Sequence, residues 1–178
     1  DSNLTVTEEI IYDFGDEERH GIYRDISREH PESASSWYKE RYLDIEVISV
    51  WMDNVEVPYE TDESSGNVHI QIGDADKTVR GRHTYAISYL VRGALIYSPE
   101  TEVYWNVTGD RWTVPIRAAR AVLTAPKGAV GAMHSCYIGE ESSTESCTVQ
   151  GLGEAVTFES RALSSGEELT IAQEIEPG

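Results

Sequence analysis

The chain has 178 residues, 39% of them hydrophobic, which is enough for one large domain or two small ones with a real core and excludes wholesale disorder. Its 14 Lys and Arg stand against 32 Asp and Glu, a net charge of −18. A surface that acidic repels phosphate backbones and anionic headgroups, which argues against nucleic acid and direct membrane adhesion; solubility is the simplest reading of the charge.

Period-two alternation dominates from the start. Leu4, Val6, Ile10, Tyr12 and Phe14 share one face of a first strand, with Thr5, Thr7, Glu9 and Asp13 opposite. Glu8 falls on the apolar face, where an unpartnered carboxylate is costly. Arg24, in His20-Gly-Ile-Tyr-Arg-Asp25, is its candidate partner; the alternatives are a wet strand end or a bulge that turns Glu8 outward. Ser33–Tyr42 is the one stretch that reads as a helical turn. Leu43 to Met52 is β-rich and apolar on both faces in its second half, and Asp53-Asn54 reads as a hairpin turn returning through Val55–Tyr59. Val68, Ile70 and Ile72 alternate with His69 and Gln71. The clearest strand runs from His83 to Val91, with His83, Tyr85, Ile87, Tyr89 and Val91 on one face.

Later runs continue in the same manner: Ile116–Ala125, Met133–Tyr137, Thr148–Gln150, Val156–Phe158 and Leu169–Ile175. Many short strands separated by turn signals predict an all-β fold, an immunoglobulin-like β-sandwich, arranged as two packed β modules. The pattern restarts near Trp112–Val114, which places the modules at 1–112 and 113–178, the second holding the cysteine loop.

Cys136 and Cys147 are separated by the polar stretch YIGEESSTES. In an oxidising compartment they would close a short loop, a constraint valued at roughly 3 kcal/mol, and this reading carries an extracytoplasmic location with it. The alternatives are two unrelated buried thiols or half of a zinc site, although no C-x₂₋₄-C pair or nearby His supports the latter. No segment reaches the ~20 apolar residues of a membrane-spanning helix, and no signal peptide stands at the start. Asp1-Ser2-Asn3 reads as a turn and Glu176-Pro177-Gly178 as a cut in a linker, so the chain reads as a piece of a longer protein.

The search for chemistry gives no catalytic set. There is no G-x-S-x-G elbow, H-E-x-x-H or phosphate-binding loop, and Gly151-Leu-Gly153 lacks the third glycine of a dinucleotide site. His20, His30, His69, His83 and His134 have no ligand-like spacing, and His83 reads as a satisfied, partly buried imidazole. Asp74-Ala-Asp76 reads as a turn rather than a weak calcium loop. Asn3-Leu-Thr5 and Asn106-Val-Thr108 match the short glycosylation pattern. Neither a metal nor a cofactor is expected. Ten tyrosines and four tryptophans stand against two phenylalanines, and Tyr104, Trp105 and Trp112 are candidate module-junction or ligand-platform aromatics.

The runs VTEEIIYDF, HGIYRDI, GRHTYAISYLVRGAL and YWNVTGDRWTVPI, the APKGAV turn, the Cys136…Cys147 pair and the final ELTIAQEIEPG together resemble the YciQ-like predicted membrane proteins (domain of unknown function 2207). The resemblance covers nearly the whole chain in order. It implies a bacterial membrane protein whose ectodomain this is, anchored through segments outside this chain, with no established activity or catalytic residues to transfer. It also implies one more strand before Asp1. Without that strand, Leu4–Phe14 is expected at an exposed edge, paired with a neighbouring chain or with the C-terminal strand. The expected function is a non-catalytic binding or scaffolding ectodomain facing an envelope protein or glycan. A carboxylate-pair hydrolase of envelope glycan or peptide is the first alternative, and a structural spacer the second.

Overall fold

A computed structural model describes residues 3–29, 42–64, 66–97, 100–151 and 153–176. The described residues form fourteen β-strands and no helix. The helical turn expected over Ser33–Tyr42 falls, but for its last residue, outside them. Two compact units divide the chain between Gly93 and Ala94.

The first unit holds β1 (Leu4–Asp13), β2 (Ile22–Ser27), β3 (Asp44–Met52), β4 (Val55–Glu56), β5 (Tyr59–Ser64), β6 (Asn67–Ile72) and β7 (Arg82–Arg92). They make two antiparallel sheets, ordered β1-β7-β3-β4 and β2-β6-β5. The long central β7 supplies Tyr85, Ile87, Tyr89 and Val91, all at 0% exposure, which an alternating strand with a partner on each side can bury completely. Ile22, Ile26, Val68, Ile70 and Ile72 form the buried face of the other sheet.

The strand β3 explains its own ambiguous pattern. Its register against β7 slips between Val47 and Ser49, so buried positions shift from Ile45 to Val50, and Ile48 and Trp51 are left exposed. A bulge inserts one residue and reverses which side chains point inward. Asp53 and Asn54 then turn the chain at φ 50 and 65, the pair of positive angles that a two-residue hairpin with native twist requires.

The second unit holds β8 (Leu95–Tyr97), β9 (Thr101–Asn106), β10 (Arg120–Thr124), β11 (Val130–Gly139), β12 (Thr148–Gln150), β13 (Ala155–Glu159) and β14 (Glu168–Ile175). Its sheets are ordered β11-β14-β9-β8 and β10-β13-β12. Val103, Trp105, Cys136, Ile138, Leu169 and Ile171 form the buried face of the larger sheet, and Leu123, Val156 and Phe158 are buried in the smaller. Among the described residues each unit therefore holds one four-stranded and one three-stranded antiparallel sheet, a count compatible with an immunoglobulin-like sandwich.

Two differences from the sequence reading concern pairing. The division falls at Gly93–Ala94 rather than at 112/113, because β8 and β9 join β14 and not the first seven strands. The C-terminal strand does not lie beside β1, since both of its edges are taken by β11 and β9. The strand β1 is an edge strand, with β7 its partner among the described residues.

Candidate functional site

In the first unit the structure brings Glu8 and Arg24 together. Arg24 is 2% exposed and Glu8 13%, and the guanidinium donates from Nε at 2.7 Å and from Nη2 at 2.8 Å to the two carboxylate oxygens. Tyr89 donates its hydroxyl to Glu8 Oε1 at 2.6 Å. Burial alone would make Arg24 easier to deprotonate, but the adjacent Glu8 charge and hydrogen bond carry it above its ordinary value. The cluster joins β1, β2 and β7. Its partners satisfy one another in the interior, which makes it a structural tie.

His83 is held at both ring nitrogens, Nδ1 by Asp53 Oδ2 at 2.6 Å and Nε2 by the Arg80 carbonyl at 2.9 Å. The Asp53 hydrogen bond, opposed by burial, raises its pKa. Asp74 closes its own turn by accepting from the Asp76 amide at 3.0 Å, and its other oxygen meets Lys77 Nζ at 2.7 Å. Among the described residues no group of three or more His, Cys, Asp or Glu could hold a metal ion.

The second unit carries the more open chemistry. Cys136 and Cys147 form a disulfide, with their Cα atoms 5.6 Å apart. A shallow cleft of about 280 Å³ lies beside the loop they close, lined by Tyr104, Tyr137, Ile138, Gly139, Glu140, Ser142, Ser143, Glu168 and Thr170. Strand pairing assembles its floor. Thr170 on β14 stands opposite Tyr137 on β11 and Asn106 on β9, and Glu168 stands opposite Gly139. Residues opposite one another share a face, and so do those two apart along a strand, so Tyr137, Glu168, Thr170, Tyr104 and Asn106 line one surface.

The glycine is what leaves room. A side chain at position 139 would place its first carbon 2.7 Å from Ser143 Oγ, and the backbone there has φ +124. Glycine lets the loop fold back, and Ser143 then donates to the Ile138 carbonyl at 2.7 Å. Asn106 donates from Nδ2 to Glu168 Oε2, while its own side-chain oxygen accepts from the Gly109 amide at 2.8 Å. Burial pushes the Glu168 carboxyl above its ordinary range. The Asn106 hydrogen bond opposes this, and the charges of Asp110 and Glu141 reinforce it. Tyr104 is raised likewise, by burial first and then by Glu168, Tyr137 and Glu102.

The aromatic candidates separate. Trp105 is 6% exposed and belongs to the core of the second unit. Trp112 is half-buried and donates from Nε1 to the Thr108 carbonyl at 2.9 Å. Both lie in the second unit, away from its boundary at Gly93–Ala94, and only Tyr104 lines the cleft. Sequence reasoning missed Tyr137, Glu140 and Glu168; the signals available were the outward phase of Tyr137 in its strand and the glycine two residues on.

No helix among the described residues is long and apolar enough to cross a membrane. No curated protein and no solved structure matches this chain. The family description "Predicted membrane protein (DUF2207) N-terminal domain" matches residues 1–174. With a match of that extent, the chain belongs to the DUF2207 family of predicted membrane proteins, as their N-terminal domain.

Proposed function

We propose that this chain is the extracytoplasmic part of its membrane protein and acts as a non-catalytic module that binds an envelope component in the cleft of the second unit. The observation that carries the reading is the cleft itself, one wall of which is a loop closed by the Cys136–Cys147 disulfide. Disulfides persist in oxidising compartments, which supports placement outside the cytoplasm. A stapled loop carrying Tyr137, Glu140, Ser142 and Ser143 holds recognition groups in place without the ordering cost of a free loop.

A hydrolase acting on envelope glycan or peptide is the second reading. It is favoured by Glu140 and Glu168 lining one cleft and by the raised pKa of Glu168. Against it, Glu140, Tyr137 and Ser142 are exposed, so the cleft offers little of the water exclusion that strengthens such chemistry.

The test is in-cell crosslinking of the full-length membrane protein in its native envelope, comparing wild type with the Tyr104→Ala, Tyr137→Ala double variant. A component recovered by wild type and lost in the variant supports binding at the cleft. The same recovery from both rejects it. Turnover of wall glycan or peptide that disappears in Glu168→Gln would establish the hydrolase instead.

A further inference from the structure

We propose that the cleft between Tyr104, Tyr137 and Glu168 binds an alkylammonium group: a primary amine carried on a short aliphatic stem. The inference rests on the binding reading above and names its ligand class.

Charge makes the first selection. Among the described residues two carboxylates, Glu140 and Glu168, line the cleft, and no Lys, Arg or His does. The charged groups acting on its interior are acidic as well: Asp110 and Glu141 on Glu168, and Glu102 on Tyr104. Arg161, in the same unit, is committed to Glu145 and Glu167, each of which receives two of its hydrogen bonds. An anion meets only like charge here, and a neutral sugar relieves none of it. A cation does relieve it.

Side-chain type makes the second selection. Tyrosine rings attract a cation over their faces, and Tyr104 and Tyr137 line the same cleft as the carboxylate. The hydroxyls of Ser142 and Thr170 line the same cleft, and an ammonium carries three N–H donors with no acceptor of its own. Size makes the third. A volume of about 280 Å³ falls just below the usual range for small-molecule sites, so the cleft suits a head group and a few carbons rather than a long oligomer.

Two sources share this chemistry, a lysine-type side chain in a peptide and a free polyamine. The experiment titrates the folded, disulfide-intact protein with Nα-acetyl-lysine amide, with 1,5-diaminopentane, and with chitotriose as a neutral glycan, following the tyrosine resonances by NMR. We expect saturable shifts with both amines and none with chitotriose. Binding should strengthen as pH rises through the titration of Glu168, and weaken as salt is added. Glu168→Gln, which keeps the shape and an acceptor for Asn106, should lose affinity by about ten-fold. Tyr137→Leu, at an exposed position, should lose about three-fold. Stronger binding of the acetylated lysine points to a peptide source, and of diaminopentane to a free polyamine; both support the site. Equal amine affinity in wild type and Glu168→Gln overturns it, as does the absence of saturable binding. Saturable chitotriose binding without amine binding overturns this inference while leaving the binding function standing.

Discussion

Tyr85 and Tyr89 sit four residues apart on β7, both fully buried on the same face, and the sequence does not distinguish them. Their hydroxyls have different fates. Tyr89 donates to the Glu8 carboxylate, whereas the Tyr85 hydroxyl is buried with no partner among the described residues. Burial, and next the Asp53 and Tyr12 charges, push Tyr85 up to about 12. Tyr89→Phe removes a hydrogen bond to a charged acceptor and should cost about 1.5–3 kcal/mol. Tyr85→Phe removes an unsatisfied buried group and should be neutral or stabilising by up to about 1 kcal/mol. Urea unfolding of the two variants checks this, and a larger loss from Tyr85→Phe would reverse the assignment. The raised value also gives a sign in alkali. The native state keeps a proton that the unfolded state releases, so Tyr85 makes stability fall as pH climbs from about 10 to about 12, and Tyr85→Phe should remove that part of the slope.

At the scale of elements, the loop from Cys136 to Cys147 joins the disulfide to the cleft, because Tyr137, Glu140, Ser142 and Ser143 line it. Replacing both cysteines with alanine should cost about 3 kcal/mol of stability. At temperatures where the variant remains folded, it should also weaken amine binding, since the wall then has to be ordered on each encounter. Unchanged affinity in the NMR titration would show that the bridge serves stability alone. The strand β6 was legible because one face is apolar and the other polar without interruption, and β1 and β7 because the alternation outlasts its exceptions, Glu8 and Ile11 in β1 and Leu90 in β7. By contrast, β2 was not, because Arg24 stands at an inward position between Ile22 and Ile26 and breaks the period that its burial with Glu8 restores. Nor was β9, where Trp105 read as a module-junction or ligand-platform aromatic, although it is a core residue of the second unit paired with Ile171. The cleft was illegible for a further reason: it is made by three strands meeting through distant pairing, and by the side chain that Gly139 lacks.

At the scale of the molecule, the division at Gly93–Ala94 gives each unit its own buried faces. Residues 94–178 expressed alone should fold as an oxidised, cooperative β-domain. Residues 113–178 should not, because removing β8 and β9 bares one edge of β14 and takes Val103 and Trp105 from the core. Circular dichroism and thermal unfolding of the two fragments decide between these boundaries, and cooperative folding of the shorter one would restore the division near Trp112. Among the described residues, β1 pairs on one side alone, with β7. Ten residues long and free of bulges against β7, it is a ready template for a further strand. It carries Glu9 and Asp13 on its solvent side and no basic residue anywhere. Two identical rims brought together would therefore meet as like poles, so this strand disfavours pairing with its own copy, and its charge best suits a neighbouring strand, from the full-length chain or from another, that carries basic residues.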